Sequence, residues 1–172
     1  MGAEPYCYFA AYQGDVNTTL QTLRQQEFAA GRYNPVLVLP RFYGFPMTES
    51  SVAPGAQHSS IEEAMIAADA DGTRSILDIF EVSNFPYERA YEDPAINSGI
   101  DVCFRTYPFS RKDLEQMFGT LEPSHQQVES VCLESDSCET IWAGIDRGTC
   151  RHIIVFDQGK PSEIFFAGYS FD

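Results

Sequence analysis

The sequence predicts a single α+β domain over residues 1–172, and three observations lead to that prediction. The chain ends in two apolar runs separated by a turn, its first strand is followed directly by a helix, and further helical stretches lie between these ends. We expect a mainly antiparallel sheet of about five strands, with the C-terminal β-hairpin central and helices packed on it. A hydrophobic content of 44% is enough for an ordinary core without disulfides.

The C-terminal stretch has the pattern of a β-hairpin. Apolar runs at Ile153–Phe156 and Ile164–Phe166 lie on either side of a turn-rich spacer at 157–161. Gly159 in this spacer can adopt a positive φ without steric cost. Apolar residues occupy both alternating faces of the second strand, so we expect that strand to be central in the sheet and covered on each side. At an edge it would promote aggregation.

The N-terminal stretch predicts a strand followed by a helix. Residues Tyr6–Tyr12 alternate as a strand does, and Gln13-Gly14 ends it. Asp15 is placed to accept hydrogen bonds from the first turn of a helix, and Gly31 is placed to end that helix.

Between these ends the pattern predicts short elements and two irregular regions, 32–58 and 83–99, both interrupted by prolines. In chain order, we expect a brief strand at Val36–Leu39, a helix from Ser59 or Ser60 to Gly72, a strand at Thr73–Val82 and a short strand at Asp101–Tyr107. After these we expect a helix capped by Ser110 and ended by Gly119, and a helix that starts at Pro123 and runs through Cys132. The stretch 136–147 is ambiguous and suits a helix ending at Gly148.

Charge limits the classes of partner. The net charge is −14, and Lys112 and Lys160 are the only lysines. Binding to a nucleic-acid backbone or to anionic lipid needs clustered positive charge, so we expect neither a nucleic acid nor a membrane as partner. Such acidity favours a basic protein partner, or simply a well-solvated surface.

Cysteine usage and the N-terminal residues predict a cytoplasmic protein. The five cysteines have no regular spacing, and the first residues lack the basic and apolar regions of a signal peptide. No apolar run approaches the roughly 18 residues that a membrane span requires.

Two phrases of the sequence resemble a known group of proteins. DGTRSILDI at Asp71–Ile79 and GKPSEIFFAGYSFD at Gly159–Asp172, together with the opening strand and LRQQEFAAGRY, resemble a family of small acidic bacterial proteins that end in a similar hairpin. The resemblance covers the two ends and the middle of the chain and leaves out both proline-rich regions. It implies a single bacterial domain and assigns no activity to any residue.

Patterns for metal or cofactor binding are weak. Cys132, Cys138, Cys150 and His152 are residue types that bind zinc, but their spacing lacks the close pairs of structural zinc sites. His152 shares a strand face with apolar residues, where a structural histidine is common. Neither glycine pattern of phosphate-binding loops occurs, so we predict no metal and no cofactor.

A catalytic site is an alternative with limited support. Cys7 and Cys103 lie within predicted strands, where unreactive thiols are usual. His58, between a loop and a helix start, is the best-placed base, and Asp71, Arg74 or Asp78 could complete a small hydrolase-type cluster with it. Asp78 faces the apolar side of a predicted strand and would then need a partner such as Arg74 or a hydroxyl. We name no catalytic residue.

Aromatic residues in the two irregular regions predict a recognition surface. Phe42, Tyr43 and Phe45 lie in the first region, and Tyr87 and Tyr91 in the second. Exposed aromatics with an acidic rim are typical of protein interfaces, although the same rings could fold back over the sheet.

We therefore expect a non-catalytic, acidic protein-binding module, similar in type to an inhibitor or immunity protein, that acts through residues 41–57 and 84–97. The predicted binding residues are Phe42, Tyr43, Phe45, His58, Arg74, Asp78, Tyr87 and Tyr91. The alternatives are the small enzyme described above and a structural subunit of a larger assembly.

Overall fold

The computed structural model describes residues 3–36, 45–94, 102–134 and 138–171. These residues form strands β1 (Pro5–Ala11), β2 (Glu81–Val82), β3 (Arg105–Pro108), β4 (Cys150–Asp157) and β5 (Lys160–Tyr169). Their α-helices are α1 (Val16–Ala30), α2 (Ile61–Ala68), α3 (Tyr87–Glu92), α4 (Arg111–Phe118), α5 (His125–Glu129) and α6 (Cys138–Ala143). Among these helices, none has the length and hydropathy needed to cross a membrane.

The five strands form one mixed sheet in the order β1-β5-β4-β3-β2. The long ladders, β1 with β5 and β5 with β4, are antiparallel. The short ladders, β4 with β3 and β3 with β2, are parallel. The predicted α+β class is confirmed, and neither strand of the C-terminal hairpin lies at an edge.

Both faces of the hairpin are buried, as the apolar pattern predicts. Ile164 and Phe166 pack against α1 in one core cluster, together with Tyr6 from β1. Phe165 and Ala167 belong to a second cluster on the opposite face, with α4, α5 and α6. Because successive side chains of a strand alternate, the hairpin supplies the centre of both cores.

Several local signals are confirmed. The Asp15 carboxylate accepts from the backbone N–H of Thr18 at 2.8 Å, and Gly31 ends α1 in the left-handed conformation. Ser60 caps α2. Ser110 caps α4 in a reciprocal capping box with Asp113, and Gly119 ends that helix.

The hairpin turn consists of Gln158 and Gly159, at φ 49° and 75°. Two central residues with positive φ give the tight turn whose twist matches the flanking strands. The turn is therefore shorter than the five-residue spacer in the sequence, and Pro161 lies within β5 next to a bulge at Val155/Phe156.

The predicted strand at Thr73–Val82 is wrong over most of its length. Residues Ile76–Asp78 form a 3-10 turn, and only Glu81–Val82 pairs in the sheet. The Ser75 hydroxyl accepts from the N–H of Leu77, and the Asp78 carboxylate accepts from Thr73. These side-chain bonds to nearby backbone compete with strand pairing.

Other boundaries also differ from the sequence prediction. Residues Tyr87–Glu92 of the second irregular region form helix α3, and Pro123 precedes α5, whose cap is Ser124. The helix that we expected to run through Cys132 continues past α5 as a π-helical turn at Ser130–Glu134. Of the expected strand at Val36–Leu39, all but Val36 lies outside the described residues.

Two glycines of the hairpin differ in the space around them, and this difference can be tested by substitution. A Cβ at Gly168 would lie 2.5 Å from the Tyr6 hydroxyl oxygen and 2.7 Å from the Thr149 carbonyl oxygen, whereas a Cβ at Gly159 would meet nothing within 4 Å. We expect Gly159→Ala to lower the free energy of unfolding by about 1 kcal/mol through the φ of its turn. Gly168→Ala should lower it by at least about 2 kcal/mol, because the backbone of Thr149 cannot move aside. Urea unfolding measures both, and equal losses would contradict this packing.

Candidate binding pocket

The predicted aromatic surface is only partly described. Phe42 and Tyr43 lie outside the described residues, as does the side chain of Tyr91. Phe45 is half-buried. Tyr87 is buried, with 8% of its surface exposed, and packs edge-on against Tyr107 at 5.2 Å between ring centroids. At Tyr87 the structure favours the alternative in which loop rings cover the sheet.

In the predicted cluster, the Arg74 backbone N–H lies against the Asp78 carboxylate, but the hydrogen bond of His58 goes elsewhere. His58 Nδ1 lies 2.9 Å from the Tyr33 hydroxyl, and Arg74 lies 4.0 Å from the Asp71 carboxylate at the surface. Within the described residues no hydrogen bond connects His58 to Asp71 or Asp78. A general base and its partner need that contact, directly or through one water, so the geometry gives the enzyme alternative no support.

Asp78 is buried and has the hydroxyl partner that the sequence predicts. One carboxylate oxygen, Oδ1, accepts from the backbone N–H and the hydroxyl of Thr73, each at 2.8 Å. The other oxygen, Oδ2, is buried without a hydrogen-bond partner among the described residues. Burial raises the pKa of Asp78 to about 6, against the lowering effect of the hydrogen bonds from Thr73.

This raised pKa predicts a pH-dependent stability. The folded protein binds the proton of Asp78 more tightly than the unfolded chain does. Its stability therefore falls as the pH rises from 3.8, the pKa of Asp78 in the unfolded chain, to about 6, the pKa in the folded protein. Asp78→Asn cannot titrate, so its free energy of unfolding relative to the wild type should rise by about 2 kcal/mol between pH 4.5 and pH 7. Urea titrations of both proteins at several pH values measure the difference.

The titration of His152 changes the stability with pH in the opposite direction, but it affects the wild type and the Asp78→Asn variant equally. Burial, with a smaller effect of Arg151, lowers the pKa of His152 to about 3, so acid protonates it more readily in the unfolded chain. Stability from His152 is lost as the pH falls below its ordinary value of 6.5, equally in wild type and variant. If the difference in free energy of unfolding between the wild type and Asp78→Asn stayed constant with pH, the raised pKa of Asp78 would be contradicted.

The cysteines and His152 do not gather around a common point. Cys150 packs on the α1 face of the sheet, whereas Cys132 packs on the opposite face. The ring of His152 lies 3.0 Å from the Thr106 hydroxyl. In the described part of the chain, no group of three His, Cys, Asp or Glu side chains could hold a metal ion.

The individual thiols have the environment of structural cysteines. Burial raises the pKa of Cys7, Cys132 and Cys150 to about 12, so these thiols stay protonated. Cys103, which we expected within a strand, lies in the turn before β3 and is half-buried.

A different part of the molecule forms a cavity suited to a ligand. It has a volume of about 710 Å³ and lies between α3, α4 and α6, above strand β4. We call it the Arg151 pocket. Its apolar walls are Phe109, Met117, Val131 and Ile141. Its charged and polar groups are Glu88 and Arg89 from α3, Asp113 and Gln116 from α4, and Arg151 from β4.

Arg151 is the unusual residue of this pocket. Only 4% of its surface is exposed, although arginine is almost never buried unless it is paired. Its Nη2 donates to the Glu88 carboxylate at 3.1 Å and to the Gly144 carbonyl at 3.0 Å. Its guanidinium carbon lies 4.2 Å from the centre of the Tyr87 ring and 6.0 Å from that of Phe109.

The electrostatics of Arg151 follow from its burial. Burial lowers the pKa of Arg151, and the nearby Glu88 carboxylate opposes that effect. An arginine side chain stays protonated in proteins, so the pocket contains a permanent positive charge. The Nε atom is buried and has no hydrogen-bond acceptor among the described residues.

Sequence reasoning missed Arg151, although a signal was present. In β4 the residues at 151, 153 and 155 share one face, and Ile153 and Val155 pack in the core under α4 to α6. An arginine on that face of a central strand is placed in the interior by the same alternation. Three residues of the second irregular region, Pro86, Glu88 and Arg89, border the pocket.

Comparisons with models of protein families, with curated proteins and with solved structures found no match to this chain. The resemblance to a family of small bacterial proteins therefore stays a prediction.

Proposed function

We propose that this chain is a non-catalytic binding module and that its recognition site is the Arg151 pocket. The single observation that carries the proposal is a buried arginine with unused hydrogen-bond donors beside an apolar cavity of about 710 Å³. Ligand sites are typically cavities of this size, lined by apolar side chains with a few polar groups that fix orientation.

The chemistry of the pocket suits binding better than catalysis. Arg151 cannot release its proton at physiological pH, so it cannot act as a base. The Asp113 carboxylate already accepts from the backbone N–H and the hydroxyl of Ser110, at 3.1 Å and 2.5 Å. Cys132 packs in the core beside the pocket with a thiol that stays protonated, which makes it a poor nucleophile.

A protein partner is a second candidate occupant, and the net charge of −14 favours it. In this form the chain is the acidic, inhibitor-like module that the sequence predicts, and a basic partner inserts a side chain into the pocket. Opposite charge speeds such encounters and makes them sensitive to salt. The size of the cavity, which matches a whole small ligand, leads us to place a small molecule first.

A blocked pocket tests the proposal. Gln116 lies on the exposed side of α4 and lines the cavity, so Gln116→Trp should place an indole in its mouth without burying a polar group. We expect the variant to weaken the binding of small aromatic and alkyl fragments by more than about tenfold, which corresponds to about 1.4 kcal/mol. Ligand-observed NMR titrations measure the affinities.

Glu115→Trp is the matched control, because Glu115 is the exposed neighbour of Gln116 and does not line the cavity. We expect its affinities to equal those of the wild type. The proposal would fail if no fragment bound to the wild-type chain, or if the two tryptophan variants bound fragments equally well.

A further inference from the structure

We propose that the Arg151 pocket recognises a ligand with a single carboxylate group on an apolar body, and that the Glu88 side chain occupies the carboxylate position when no ligand is bound. This inference rests on the proposed function, since it names the chemical class of ligand for the same pocket. It depends on four features of the site: the unused donors of Arg151, the weak hold on Glu88, the satisfied acidic groups and the apolar walls.

Arg151 has more donors than the protein uses. A guanidinium has five N–H donors in a planar fork. Among the described residues, Glu88 and Gly144 accept only from Nη2, and Nε is buried without an acceptor. A carboxylate matches the fork with two parallel hydrogen bonds, which is the strongest use of these donors.

Glu88 can leave this position easily. Its contact with Arg151 is a single hydrogen bond of 3.1 Å, and 58% of the Glu88 side chain is exposed. It also lies on α3, a helix of only six residues. A ligand carboxylate can replace Glu88 because the displaced side chain returns to water and the buried guanidinium keeps a carboxylate partner throughout.

The acidic groups around the pocket already have donors, so a cationic ligand has less to gain. The Asp113 carboxylate is held in the capping box of α4. The Asp146 carboxylate accepts from the hydroxyl of Tyr87, the ring that stacks on Arg151. The buried polar atom of this site that has no partner among the described residues is a donor, the Nε of Arg151, so the ligand should supply the acceptor.

The same acidic groups limit the ligand to one negative charge. Glu88 and Asp113 both line the cavity, and the whole chain carries a net charge of −14. The other cation of the lining, Arg89, is exposed to water and stacks on the Phe85 ring at 4.9 Å, so it offers a second ligand charge less than the buried Arg151 does, while these carboxylates would repel that charge. A carboxylate is therefore favoured over a phosphate. Around it, Phe109, Met117, Val131 and Ile141 provide an apolar surface for the rest of the ligand.

A panel of matched compounds tests this chemistry. Each medium-chain alkanoic or aryl-alkanoic acid is paired with its primary amide, which has the same shape and no charge, and with the corresponding alkyl phosphate. We expect the preferred acids to bind at least about tenfold tighter than their amides in calorimetric titrations, because a hydrogen bond to a charged group is stronger. They should also bind tighter than the phosphates.

Glu88→Gln is the decisive variant. It removes the resident carboxylate and leaves an amide oxygen that can still accept from Arg151, so we expect acids to bind about threefold to tenfold tighter and amides to bind as before. Glu92→Gln changes the net charge by the same amount on the same helix, at an exposed residue outside the pocket, and should alter neither affinity. Arg151→Met should abolish the preference for acids, with circular dichroism to check its fold.

The outcomes separate this inference from the proposed function. If acids and amides bind equally and Gln116→Trp blocks both, the pocket is still the binding site, but the claim that it recognises a carboxylate is overturned. If a phosphate binds more tightly than the matching acid, the claim that the ligand carries a single charge is overturned. If Glu88→Gln changes the affinities for acids and amides alike, or lowers the affinity for acids, the claim that a ligand carboxylate replaces Glu88 is overturned. If no compound of the panel binds, both the inference and the proposed function fail.

Discussion

The burial of the C-terminal hairpin on both faces is the constraint on which the rest of the structure depends. The strands β4 and β5 lie inside the sheet, and their alternating side chains form the centre of both core clusters. The buried residues of these strands, 150–153, 155 and 164–168, must therefore be compatible with the interior. Most are apolar, and Gly168 allows the Tyr6 ring to lie directly over the backbone. Arg151 is the marked exception on the face covered by α4 to α6.

A charged side chain at such a position needs compensation, because the transfer of an unpaired charge from water into protein is very unfavourable. The compensation at Arg151 is incomplete. One carboxylate, one carbonyl and two aromatic rings surround the guanidinium, but the carboxylate of Glu88 is largely exposed and the Nε atom has no acceptor among the described residues. Arg151 holds α3 against the sheet in this state. The same incomplete compensation makes it a suitable group to receive a ligand.

The parts of the fold that follow from short-range chemistry could be predicted from the sequence. The hairpin, the Asp15 and Ser110 caps and the Gly31 and Gly119 helix ends each depend on a few neighbouring residues. The stretch Thr73–Val82 was misread because the hydrogen bonds of Ser75 and Asp78 to nearby backbone oppose the strand preference of its apolar residues. Helix α3 was missed because a six-residue helix depends on tertiary contacts, here those of Tyr87 and Glu88 with Arg151.

The candidate site was harder to predict than the fold, since it joins α3, α4, α6 and β4 from distant parts of the chain. The sequence indicated one border of it, at residues 86–89, by its loop composition. It did not indicate that Arg151 would lie beneath those residues, because that placement depends on the strand order of the sheet. Of the predicted binding residues, Tyr87 contacts Arg151, while His58 and Asp78 have structural partners elsewhere.

The central claim, that the hairpin is the innermost part of the fold, is tested most directly by native-state hydrogen exchange. We expect the backbone amides of Ile153, Ile154, Phe165 and Phe166 to exchange only through global unfolding, with a free energy equal to that from urea unfolding. The amides of α3 should exchange through smaller, local openings. Exchange of the hairpin amides as fast as those of α3 would contradict the claim, and with it the buried position of Arg151.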